Sequence, residues 1–240
     1  MMNFSFEFFP PKNTVLQQRL WDSIKKLVTL NPSFFSVTYG ANCSTQNNTF
    51  NVVKSIQEQT KVNTAAHLTC VNLNVVELKK MAVNYWKNGI KSIVALRGDY
   101  SNNNQNKRNI LYASDLVYLL KSVADFDITV AAYPEVHPEA KNAQSDLIYL
   151  KRKIDNGANR AITQFFFKID KYLRFRDRCA SIGIDVDVIP GILPILNYQQ
   201  LLNFSKMTNV CIPNWIHKAF HNLSNDLDIQ RIIGAYIAIK

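Results

Sequence analysis

A glutamate set among aromatic residues is the sharpest chemical feature of the chain. Glu7 lies within Ser5-Phe6-Glu7-Phe8-Phe9-Pro10-Pro11. Apolar neighbours desolvate a carboxyl and raise its pKa, which suits a general acid near neutral pH. The structural alternative is an interior carboxylate paired with Lys or Arg. A second carboxylate, Asp99, closes Leu96-Arg97-Gly98-Asp99; Gly98 admits a ligand close to the backbone, and Arg97 can hold a pyrophosphate. In Ala131-Ala132-Tyr133-Pro134-Glu135-Val136-His137-Pro138-Glu139-Ala140, two prolines stiffen a loop carrying Tyr133 and His137. The alanines leave room for a flat ring. Asp146, Arg152 and Lys153 follow on a helical pattern, where the two cations either neutralise phosphates or form a solvated basic face. Taken singly, His67 and His137 are better explained by core or loop-bracing roles.

These residues need elements that bring them to one place. Short apolar, β-branched or aromatic runs predict strands over Phe4–Phe9, Phe34–Tyr39, Thr64–Cys70, Ser92–Asp99, Asp127–Tyr133, Ala161–Phe166 and Asp187–Leu193. Between them, helical periodicity predicts Thr14–Leu30, Asn48–Gln59, Asn74–Asn88, Ala113–Ala124, Ala143–Asn156 and Ile169–Ser181. Val75, Leu78, Met81, Ala82 and Tyr85 illustrate the three-and-four spacing of one helix face. Gly89, Gly157 and Gly183 each stand just past a helical pattern, where a left-handed residue ends a helix. A strand recurs about every thirty residues, the length of a βαβ unit, so a parallel sheet with outer helices is expected. No GxGxxG turn follows the first strand, which argues against a dinucleotide-binding open sheet. Polar residues sit at nearly every strand end: Glu7, Thr38, His67, Arg97-Gly98-Asp99, Tyr133 and Gln164. A (β/α)8 barrel gathers such ends on one face, and this is the expected fold, as one domain over 1–240.

Composition narrows the classes. The 240 residues carry 28 Lys and Arg against 18 Asp and Glu, a formal net charge of +10. That balance suits an anionic partner, but no basic run exceeds Lys151-Arg152-Lys153 and no nucleic-acid motif is present, so a nucleic-acid partner is not expected. Cys43, Cys70, Cys179 and Cys211 form no CxxC pair, so neither a metal site nor a disulfide framework is expected. With no signal-peptide pattern and no long apolar run, a membrane partner is not expected either; the expected location is the cytoplasm. The stretch 101–109 is rich in asparagine and is either a surface insertion or a lid over the site.

Together, Ser5–Pro11, Ser36-Val37-Thr38-Tyr39-Gly40-Ala41, His67-Leu68-Thr69-Cys70, Ala95–Asp99, the Tyr133–Ala140 loop and Thr163-Gln164-Phe165-Phe166-Phe167 resemble the bacterial methylenetetrahydrofolate reductases, in the family's order and almost from end to end. The resemblance implies an FAD-dependent enzyme that takes hydride from NADH or NADPH and then reduces 5,10-methylenetetrahydrofolate to 5-methyltetrahydrofolate, feeding methionine synthesis. It implies a homo-oligomer, typically a tetramer of barrels. It makes Glu7 the general acid that opens the folate's five-membered ring, and Asp99 a catalytic and folate-binding residue beside the flavin. Thr38 and Gln164 would contact nicotinamide or folate, and Gln200 and Phe204 would lie on the substrate side. His67, Arg97, Gly98, Tyr112, Ala113, Tyr133, His137, Ala140, Asp146, Arg152 and Lys153 match flavin-contacting positions. Tyr149 stands where the family usually has Asn, and the Asn-rich loop is longer than expected. In the family an eighth strand and a last helix follow the segment that ends here at Lys240, which makes a truncated flavin-binding remnant the alternative.

Overall fold

The computed structural model describes residues 3–39, 43–71, 73–99, 111–223 and 226–239. The Asn-rich loop 101–109 and the motif residues Gly40 and Ala41 lie outside them. Seven strands form one sheet: β1 Ser5–Phe8, β2 Phe34–Val37, β3 Thr64–Thr69, β4 Ser92–Leu96, β5 Asp127–Ala132, β6 Arg160–Thr163 and β7 Asp187–Ile189. Their order in the sheet is their order in the chain. The registers are parallel. Every residue of β3 and four of the five in β4 are buried, as expected of parallel strands covered on both faces. The connecting helices are α1 Thr14–Leu27, α2 Cys43–Thr60, α3 Val75–Lys87, α4 Ala113–Val123, α5 Ala143–Asp155 and α6 Ile169–Ser181. After β7 come α7 Tyr198–Thr208, α8 Asn214–Ala219 and α9 Leu227–Ile239. This strand–helix alternation is that of the (β/α)8 class. No helix among the described residues is long and apolar enough to cross a membrane.

The chain forms two compact units, Met1–Val130 with Asp155–Asn159, and Ala131–Ile154 with Arg160–Lys240. In the first, Phe35, Ile56, Leu68, Leu78, Ile93, Leu116 and Leu120 are fully buried between strands and helices. Local signals set the helix ends there. Asn13 caps α1 by accepting the Leu16 N–H at 2.9 Å. Asn74 and Glu77 bond each other's backbone N–H across the first turn of α3, a reciprocal cap that satisfies two otherwise orphaned donors. In the second unit, Phe165, Ile195, Leu201, Val210, Ile212, Ile216 and Phe220 make an apolar cluster under α7 and α8. A side chain at Gly234 of α9 would collide with the Ile195 carbonyl, so the glycine is what lets α9 lie against the loop before α7.

Each expected strand and helix exists, and Gly89, Gly157 and Gly183 all take positive φ. Strands β4, β6 and β7 end three or four residues earlier than their apolar runs. Gly98 turns the chain at φ 86°, the Gln164 side chain takes the Phe165 N–H, and Pro190 follows β7 without an N–H to donate. Helix α2 begins five residues before its periodic pattern, and α7 and α8 had no sequence expectation at all.

Candidate active site

In the first unit, the register explains the closest pair of functional side chains. Glu7 faces Ser36 on β2, and Ser36 faces Ala65 on β3. Alternate residues of a strand share a face, so His67 lies on the face of Ala65, one pleat along. Small side chains at Ser36 and Ala65 leave the space between open, and Glu7 reaches over β2 to His67. Glu7 Oε2 stands 3.2 Å from His67 Nε2, with the glutamate side chain 52% exposed and the histidine side chain 8%. The two side chains are in contact, but the buried Nε2 makes no aligned hydrogen bond among the described residues. Burial by itself would raise the Glu7 carboxyl, but the His67 imidazole beside it outweighs that and holds it below the ordinary glutamate value. This corrects both sequence expectations for Glu7: its pKa is lowered rather than raised, and its partner is a histidine rather than Lys or Arg.

The neighbouring strand ends supply the rest of this unit's candidates. Thr38 is half-buried; its N–H donates to the Phe8 carbonyl and its own carbonyl accepts the Thr49 hydroxyl. Asp99 is exposed, and no ion pair to it is found among the described residues. Arg97 is half-buried, with Nε donating to the Gly98 carbonyl at 3.2 Å. At Gly98, a Cβ would stand 2.6 Å from Val71 Cγ1 and 2.9 Å from Thr69 Cβ, so positive φ and packing together require glycine there. Tyr112 is exposed at the start of α4, its backbone N–H held by the Asp115 carboxylate at 2.8 Å, and Ala113 opens the helix. Burial pushes the Cys70 thiol up to about 12, which leaves it a packing residue rather than a nucleophile.

In the second unit, the loop after β5 is braced from within. The Tyr133 and His137 rings meet edge to face at 4.6 Å. Asp146, in the first turn of α5, accepts the His137 backbone N–H at 2.9 Å, and His137 Nδ1 accepts the Glu139 N–H at 3.1 Å. With Nδ1 accepting, the proton of the neutral ring sits on Nε2. Val136 holds φ at 72°, a conformation that a β-branched residue adopts only where its surroundings impose it. Lys153 Nζ donates to the Ala131 carbonyl at the end of β5. Burial lowers its pKa to about 8, against the pull of Asp146. Arg152 and Tyr149 are exposed, and Ala140 is half-buried. Gln164 donates its N–H to the Ala132 carbonyl and folds Oε1 back onto the Phe165 N–H. Gln200 is exposed in the first turn of α7, and Phe204, one turn on, packs on the apolar cluster.

One constellation had no sequence signal. The Tyr198 hydroxyl meets His217 Nδ1 at 2.5 Å, its ring stacks on Phe220, and its N–H donates to the buried Gln230. These residues lie on α7, α8 and α9, and no spacing rule links them.

A parallel sheet in chain order, alternating with helices and carrying its polar residues at strand ends, defines the (β/α)8 class. The family model for methylenetetrahydrofolate reductase matches residues 1–240. The chain is 56% identical over 238 residues to the 5,10-methylenetetrahydrofolate reductase of Salmonella typhimurium, covering 99% of this chain and 80% of the relative. The enzyme of that name from Escherichia coli is 55% identical over 238 residues, with the same coverage. The chain therefore belongs to the methylenetetrahydrofolate reductase family. Among solved structures, a Clostridium thermocellum protein that binds two copies of 5-methyl-5,6,7,8-tetrahydrofolic acid matches at a TM-score of 0.69 and 15% identity, covering 98% of this chain and 81% of that one. A Pyrococcus furiosus tryptophan synthase complex matches at 0.52 and 9%, covering 98% and 95%. At these identities the likeness is one of fold.

Proposed function

We propose that the protein reduces 5,10-methylenetetrahydrofolate to 5-methyltetrahydrofolate, with NADH or NADPH as reductant and FAD as resident cofactor. Family membership and the names of relatives more than half identical support the reaction. The structural observation that carries the reading is the Glu7 carboxylate, exposed at a strand end and backed by a buried histidine. Ring opening needs one proton on folate N10, and an exposed carboxyl at such a place can deliver it. Asp99, a carboxylate at another strand end of the same unit, favours the cationic iminium that ring opening leaves on N5.

The residues present fit a flavin. His67 Nε2 is buried without an in-line acceptor, as expected of a donor whose acceptor arrives with a ligand. The Val136 backbone and the Asp146 brace preset the second unit's loop before anything binds. By the family resemblance, His67, Arg97, Gly98, Tyr112, Ala113, Tyr133, His137, Ala140, Asp146, Arg152 and Lys153 would hold the cofactor. When bound, FAD supplies hydride transfer between nicotinamide and folate. Thr38, Gln164, Gln200 and Phe204 would then contact the two substrates. Anaerobic NADH should bleach the yellow FAD-loaded protein, and methylenetetrahydrofolate should restore the colour with formation of 5-methyltetrahydrofolate. Bleaching that folate fails to reverse would overturn the reading.

A further inference from the structure

We propose that Asn48 and Thr49, adjacent on α2, are positioning residues that hold the strand end carrying Glu7 in register with folate N10. Their side chains clasp the two chains beside it. Asn48 Nδ2 donates to the Pro11 carbonyl at 2.8 Å, and the Thr49 hydroxyl donates to the Thr38 carbonyl at 3.0 Å. The inference rests on the reductase reading for the role of Glu7, but the two bonds stand on geometry alone.

The end of β1 needs such support. In the sheet order β1 has one neighbour, β2, and a strand end paired on one side frays readily. Glu7 faces Ser36, and the last rung beyond it is the Thr38 N–H on the Phe8 carbonyl at 2.9 Å. Past that rung, Pro10 and Pro11 have no N–H to donate. Phe9 is 70% exposed, so burial of that ring does not anchor the turn either. Among the described residues, the Asn48 bond is the only hydrogen bond found between the Phe8 carbonyl and Asn13, where the cap of α1 begins.

Helix α2 can lend this rigidity because its own seat is fixed. It packs on β2 and β3, and Thr49, Val53 and Ile56, spaced by four and three, are fully buried on one face. Asn48 stands beside that face and reaches the turn after β1, 37 residues away in sequence. The two bonds therefore tie an otherwise loose strand end to a helix held by the core. The chemistry depends on that tie. A general acid must come within hydrogen-bond reach of the atom it protonates, and a misplacement of about 1 Å can cost about 10²-fold in rate.

The test is a double-mutant cycle. Asn48→Leu keeps the bulk of the side chain and removes its donor. In the wild-type background it should lower folate kcat about tenfold, a fraction of what a misplaced group can cost. Folate KM and nicotinamide-driven reduction of an artificial electron acceptor should each stay within about twofold, less than 0.5 kcal/mol. In the Glu7→Gln background, where no acid remains to be positioned, Asn48→Leu should cost nothing further, the non-additivity expected of residues that act as one. Thr49→Val should lower folate turnover likewise, and Thr49→Ser, which keeps the hydroxyl, should restore it. The same loss with and without the Glu7 carboxyl, equal loss of both activities, or undiminished folate turnover overturns the proposal. If Glu7→Gln alone leaves folate reduction intact, the general-acid reading fails instead, and amide hydrogen exchange at Thr38 decides whether the clasp exists. Exchange should quicken in Asn48→Leu and in Thr49→Val; unchanged exchange in both means that neither bond holds the strand ends.

Discussion

At the strand ends of the first unit, Glu7 and Asp99 are exposed and His67 Nε2 lacks an in-line acceptor. In the second unit, Asp146, Lys153 and Gln164 are each turned onto backbone of their own unit. Both groups occupy positions where the family resemblance places ligand contacts, yet their physical states differ. A side chain bonded to its own backbone fixes a shape, whereas one held at a strand end beside a buried partner keeps capacity for a reactant. The first group should therefore be recognised by loss of chemistry, and the second by loss of stability.

The largest effect separates the two most sharply. Glu7→Gln should lower folate reduction by about 10²–10⁴-fold, the usual contribution of a positioned acid. Stability should stay within about 0.5 kcal/mol, as for other exposed sites. Nicotinamide-driven reduction of an artificial electron acceptor should fall far less. Equal loss of both activities, or a large fall in melting temperature, would make Glu7 structural and dissolve the comparison. Asp146→Ala is the counterpart. It strands the His137 N–H and should cost about 1–3 kcal/mol, or about 2–4 °C of melting temperature per kcal/mol for a chain of this size. Asp146→Asn keeps an acceptor and should recover most of that.

How much of this was readable beforehand depends on the range of each interaction. Strands and helices followed from periodicity and from glycines past helix ends, because these signals are local and the burial pattern is written in consecutive residues. Strand ends were overrun, since apolar character continues through Phe165-Phe166 and Ile192-Leu193 after the ladder has stopped. Helices α7 and α8 escaped notice because their apolar residues serve one cluster shared by several short segments. For Glu7, the aromatic neighbours suggested desolvation correctly. The sign of its pKa shift depended on a histidine sixty residues away, on a strand that is not its neighbour. Only the register across Ser36 and Ala65 reveals that contact. The internal bonds of Asp146 and Lys153 were equally hidden, because a charged residue on a helix reads the same whether it faces solvent or a backbone carbonyl.

Lys153 offers a sharper view of the second unit through pH. Its folded pKa of about 8 lies below the unfolded value of about 10.4. Between the two, the unfolded chain binds a proton that the folded chain does not, so stability rises with pH through this window. Relative to Lys153→Met, which has no proton to lose, the wild type should gain stability as pH rises past about 8. Urea midpoints of both proteins on either side of that pH check it. A difference independent of pH would mean that Lys153 is solvated, which would move it to the exposed group.

The smallest expected effect tests whether bracing alone explains the polar contacts around α7. Tyr198→Phe removes the hydroxyl that meets His217 but keeps the ring stacked on Phe220 and the backbone bond to Gln230. One neutral hydrogen bond is worth about 1 kcal/mol net, so the melting temperature should fall by about 2–4 °C. Folate KM should stay within about twofold, less than 0.5 kcal/mol, because the Asn197 cap on Gln200 still holds the first turn of α7. A KM rise well beyond that, with stability intact, would show that the hydroxyl acts on the substrate side through Gln200. The second unit would then contain a residue of the first kind.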